Sequence, residues 1–83
     1  MRVTMINANI RGCERKTNKH GEDYLVVRVE DQTGKPAELI DKGLDREKYY
    51  KRDMVGNIEL DIQTTKYTTI RIVDFKIVED KFV

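Results

Sequence analysis

The 83-residue sequence predicts a small all-β barrel of five strands, with one short helix between the third and the fourth. Three observations predict it. Apolar residues alternate with polar ones in several stretches, the two-residue period of strands half buried against a core. A single helical signal interrupts them, too short to stand alone. The apolar set of the last stretch changes phase part-way, as in a strand that bends at a bulge to turn a barrel's corner.

Residues 3–11 form the first strand, with Thr4, Ile6, Ala8 and Ile10 on the core face and Met5, Asn7, Asn9 and Arg11 outside. Residues 12–23 are polar and aperiodic, with glycine near each end, and predict an exposed loop with a basic, mobile tip. Residues 24–30 alternate again, Leu25, Val27 and Val29 facing the core and Tyr24, Val26, Arg28 and Glu30 facing outward. Asp31 to Pro36 is a turn, with Gly34 available for positive φ. A short antiparallel third strand, Ala37 to Asp41, follows, and Pro36 fits at its start because it has no N–H to donate.

The helix is predicted over residues 45–53. Asp45 can cap its first turn, Leu44 can pack on Tyr49, and Lys51 and Arg52 suit the negative end of its dipole. Tyr49 is expected to plug the barrel and Tyr50 to lie on the surface. Ile58, Leu60 and Ile62 give the fourth strand its core face, while Asn57, Glu59, Asp61 and Gln63 form an acidic outer face. After a tight connection at Thr64, Thr65 and Lys66, the fifth strand runs from Tyr67 to Val78. Ile70 and Ile72 lie on one parity and Phe75 and Ile77 on the other, which places a bulge near Val73 and Asp74. This order of elements is that of the OB-fold, a Greek-key barrel, here a single domain over residues 1–83. A split ferredoxin-like domain would need two full helices, and an SH3-like barrel would lack the helix before its fourth strand.

Composition narrows the function. No apolar run approaches the roughly 20 residues of a membrane helix, and Met1 to Asn7 show no secretory signal, so cytoplasm is the expected compartment. Cys13 stands alone, and with His20 it supplies too few ligands for a structural zinc site, which needs four. Serine is absent and His20 has no evident partner, so a non-catalytic protein without metal or cofactor is expected. The net charge is only +1, yet it is segregated. Residues 1–20 hold five bases against one acid, and residues 42–52 hold five against two.

On barrels of this class the open face of the first three strands and the adjoining loops bind oligonucleotides, with bases stacking on aromatics and a basic groove tracking the phosphates. The predicted outward residues include both kinds. Tyr24 offers a ring, Arg28 shares its face, Arg11 points outward from the first strand, and Arg15, Lys16 and Lys19 form a basic arm beside them. Glu59 and Asp61 are expected to lie away from the groove. A second reading is a protein-interaction module that recruits a partner, favoured by the near-neutral charge and the 15 acids.

The basic, glycine-containing loop followed by Gly21-Glu22-Asp23-Tyr24, and the closing run from Tyr67 through Ile70, Ile72, Phe75, Lys76 and Ile77 to Val78, resemble the single-stranded-DNA-binding proteins of filamentous phages, the gene V protein family. The likeness covers about 60 residues. It implies an OB-type homodimer that binds single-stranded DNA, with Tyr24 matching a stacking tyrosine, Arg15 and Lys19 falling near loop arginines, Tyr67 matching an aromatic at a hairpin tip and Lys76 matching a late basic residue. Two positions depart from that pattern: no aromatic stands at Gln32, and Asp74 replaces a base two residues before Lys76. The chain is also similar to OB-type accessory proteins of conjugative elements, which implies a replication protein as partner.

Overall fold

One long strand frames the whole structure. In the computed structural model, which describes residues 1–79, β1 (Arg2–Thr17) pairs antiparallel with β4 (Val55–Thr64) through its first half and with β2 (Asp23–Glu30) through its second. A strand shared in this way must bend, and two register shifts on β1 provide the bend, one between Met5 and Ala8 and one between Ile10 and Gly12. β3 (Pro36–Asp41) pairs antiparallel with β2 and meets β5 (Thr68–Glu79) in parallel at Ile40 and Arg71, and β5 pairs antiparallel with β4. The sheet closes in the order β1-β2-β3-β5-β4, the OB order. No helix among the described residues is long and apolar enough to cross a membrane.

Alternation filled the barrel as the sequence implies. Ile10, Leu25, Val27 and Ile58 are fully buried, and Val29, Leu39, Leu60, Ile72 and Phe75 complete the core around them. Each such side chain contributes about 1.5–3 kcal/mol by leaving water. The fifth-strand bulge is present: Glu59 pairs with Asp74 and Leu60 with Ile72, leaving Val73 as the extra residue, and this phase change lets Ile72 and Phe75 both face inward.

β1 departs from its predicted faces. Asn7 adopts φ 55°, a left-handed conformation that asparagine tolerates better than most residues, and its N–H donates to Asn57 Oδ1 at 3.1 Å. The phase changes there, so Thr4 and Ile6 are exposed while Met5 packs against the core and Ala8 and Ile10 stay buried. The predicted loop over residues 12–23 is mostly strand as well. β1 runs on to Thr17, and the tip contracts to residues 18–22, closed by Asn18, whose Oδ1 accepts the N–H groups of His20 and Glu22. Gly21 there has φ 81°, which glycine adopts without cost.

The connection before β4 is not the predicted helix of residues 45–53. It is a 3₁₀ helix over Leu44–Tyr49, η1, preceded by Gly43 with no side-chain cap, so Asp45 does not cap it. Tyr50, at its C-terminal end, turns inward and is 4% exposed, whereas Tyr49 is 39% exposed and lies beside Lys48. Tyr50, not Tyr49, therefore plugs the barrel, its ring 5.2 Å from that of Phe75. Its hydroxyl donates to Asp41, a fully buried acid at the end of β3. Asp41 also accepts Arg46 Nε and Nη2, each at 2.7 Å, and the Gly43 N–H at 2.7 Å. A buried charge needs such partners.

Candidate nucleic-acid interface

Strand register decides which of the predicted residues share a face. On β2, Tyr24, Val26 and Arg28 have the parity opposite to the buried Leu25, Val27 and Val29, so they point outward. Their partners on β1 are Lys16, Glu14 and Gly12. Lys16 and Tyr24 are thus directly cross-strand on the outer face, a cation beside a ring. On the other side of β2, Val26 faces Ile40 and Arg28 faces Glu38 of β3. Val26, although outward, is only 8% exposed.

Arg11 and Arg28 flank a groove of about 450 Å³ at the β2–β3 end of this face, completed by Glu30, Pro36, Ala37 and Glu38. Arg11 is the bulged residue of β1 and pairs with Glu30 at 3.6 Å and Asp53 at 3.4 Å. Arg28 lies 3.7 Å from Glu14. Lys16 and Lys19, in contrast, form no ion pair among the described residues; Lys16 is exposed on β1, and Lys19 is exposed at the β1–β2 tip.

Arg15, Tyr67 and Lys76 are not brought to this cluster. Arg15 sits opposite Leu25 and so has the other parity from Lys16; it reaches Asp23 at 3.8 Å and Glu47 of η1 at 3.3 Å. The basic arm of three is therefore split, because a strand sends successive side chains to opposite faces where a loop would not. Tyr67 is 79% exposed at the β4–β5 tip, next to Lys66. Lys76 pairs across from Asn57 and lines a separate hollow of about 180 Å³ with Thr4, Glu59 and Asp74. That second face carries the β4 carboxylates, and Asp61 on it is held by Arg2 and the N-terminal amine.

Two neighbours of the site escaped sequence reasoning. Gly12 looked like a loop glycine, yet it lies in β1 beneath the Arg28 guanidinium. Glu38 carried no signal beyond strand alternation. Cys13 packs against the core, and burial first, then Glu47 and Asp41, push its thiol pKa up, which makes it a poorer nucleophile. No family model matches the sequence, and no curated protein or solved structure matches it significantly.

Proposed function

We propose that this barrel is a non-catalytic single-stranded-DNA-binding protein that supports replication or transfer of a phage or mobile element. The observation that carries the reading is the row on the outer face of β1 and β2: unpaired Lys16 beside Tyr24, with Arg28 further along the same strand. A strand of DNA crossing this face stacks a base on Tyr24 and lays its phosphates along Lys16 and Lys19. Outward-facing Val26 and Ile40 lie between as an apolar floor. The acids Glu59, Asp61 and Asp74 lie on the other outer face, where they do not oppose the phosphates.

Binding of an oligo-dT of about 20 nucleotides, followed by fluorescence anisotropy for wild type, Tyr24→Ala and Lys76→Ala, tests this. Tyr24→Ala loses about 1–3 kcal/mol, the usual worth of one stacked base, and Lys76→Ala loses little. Equal losses, or none for Tyr24→Ala, overturn the assignment of the face. One observation favours recruitment of a protein instead: Arg11, Arg15 and Arg28 are each already paired within the chain. On that reading the oligonucleotide does not bind at all.

A further inference from the structure

Arg28 is laid down against β1 rather than left free. A β-carbon on Gly12 would sit 3.0 Å from Arg28 Nη2 and 3.4 Å from Nε, so the guanidinium occupies the space this glycine leaves open. Gly12 has no positive φ, so what it supplies is room rather than backbone freedom. Glu14, two residues on, holds Nη1 from the side at 3.7 Å. The result is a planar cation pinned against β1 and half exposed toward the groove.

The rest of that groove does not suit a phosphate. Besides its two guanidinium groups it is lined by the carboxylates of Glu30, which pairs with Arg11, and Glu38, and Pro36 and Ala37 form apolar walls. Glu38, cross-strand from Arg28, has no base for a partner among the described residues. An exposed carboxylate without an ion pair repels phosphate and accepts hydrogen bonds from N–H groups. A nucleobase satisfies both sides of the groove: its face stacks on a guanidinium plane, and an exocyclic amino group donates to a carboxylate.

Resting on the proposed function, we infer that the groove between Arg28 and Glu38 is a base-binding subsite, with Arg28 as the stacking plane that Gln32 does not provide and Glu38 as the acceptor for an amino-bearing base. Cytosine, adenine and guanine each present an amino group, and thymine has none. Thymine presents carbonyl oxygens on both sides of its one ring N–H, and these face Glu38 unfavourably. The subsite therefore favours cytosine over thymine. Tyr24, four residues from Arg28 on the same strand and about 13 Å away at the usual rise, takes a neighbouring base without such choice.

The test is anisotropy at pH 8 with oligo-dC and oligo-dT of about 20 nucleotides, for wild type, Glu38→Gln, Arg28→Lys and Gly12→Ala. Wild type binds oligo-dC about fivefold or more tighter than oligo-dT, the scale of one hydrogen bond to a charged acceptor. Glu38→Gln brings the ratio close to one. Arg28→Lys keeps the charge but removes the plane, and weakens oligo-dC binding about fivefold or more with the salt dependence unchanged. Gly12→Ala, which displaces the guanidinium, does the same; Arg28→Lys serves if that variant fails to fold. Binding of both oligonucleotides with a ratio of one, or a ratio unchanged in Glu38→Gln, overturns the subsite and leaves the proposed function standing. Full affinity for oligo-dC in Arg28→Lys overturns the stacking role. Binding of neither oligonucleotide by wild type overturns the proposed function itself.

Discussion

Replacing Asp41 by asparagine should be among the costliest conservative changes in the chain. The side chain is fully buried, and its two oxygens accept four hydrogen bonds: one from Gly43, two from Arg46 and one from Tyr50. Asparagine keeps the shape but removes the charge and turns one acceptor into a donor facing donors. Breaking one side of a buried ion pair costs about 3–5 kcal/mol. Arg46 retains 23% side-chain exposure and can recover some hydration, which places Asp41→Asn near the lower end, about 3 kcal/mol. A chain of this size has a total stability of only about 4–12 kcal/mol. In urea, with a slope of about 1 kcal/mol per molar, the midpoint should fall by about 3 M. Arg46→Met strands the buried carboxylate and should cost at least as much, while the double variant should cost clearly less than the sum, because both single changes remove the same pair. A loss below about 1 kcal/mol for Asp41→Asn, or additive losses in the cycle, would refute the assignment of Asp41 as the anchor of the plug.

Other outcomes follow from the same packing. Burial first, and then Asp41, push the Tyr50 phenol well above its ordinary pKa, so the folded chain keeps this proton where the unfolded chain loses it. Stability from this group is complete below about pH 10 and declines as pH rises beyond it. Tyr50→Phe should cost about 2 kcal/mol at pH 7 for the lost hydrogen bond to a buried charge and flatten the alkaline decline, as urea midpoints at pH 7 and pH 11 would show. Gly56→Ala should lower the thermal midpoint by about 10 °C or more, because the added β-carbon runs into the Phe75 ring and lies 2.6 Å from the Lys76 carbonyl oxygen, a backbone atom that cannot rotate away. Cys13 should react with a thiol reagent at pH 7 more slowly in the folded protein than in urea, since its thiol pKa is raised and its side chain packs against the core.

What the sequence disclosed, and what it concealed, divides by whether a residue has a buried face. Strands that line the core announce themselves by alternation, which is why Leu25, Val27 and Val29, Ile58 and Leu60, and even the bulge at Val73, were legible. The far end of β1 is exposed on both sides from Glu14 to Thr17, so no apolar period marked it as strand. That concealment moved Arg15 and Lys16 onto opposite faces and changed the composition of the candidate site. The choice between Tyr49 and Tyr50 turned on helix type, since a 3₁₀ turn rotates side chains differently from the α-helix that the pattern suggested. Asp41 left no local trace, because the residues that make its burial tolerable lie five and nine positions further along.

The measurement that bears most directly on function is the salt dependence of binding to oligo-dT, with a duplex control, from about 20 to 300 mM salt. Phosphate contacts by Lys16 and Lys19 predict a log–log slope of about −1.4, at about 0.7 per phosphate neutralised, together with preference for the single strand. Preference for the duplex, or a flat profile, would contradict the account, and no binding at the lowest salt would in addition leave recruitment of a protein partner as the function of this face.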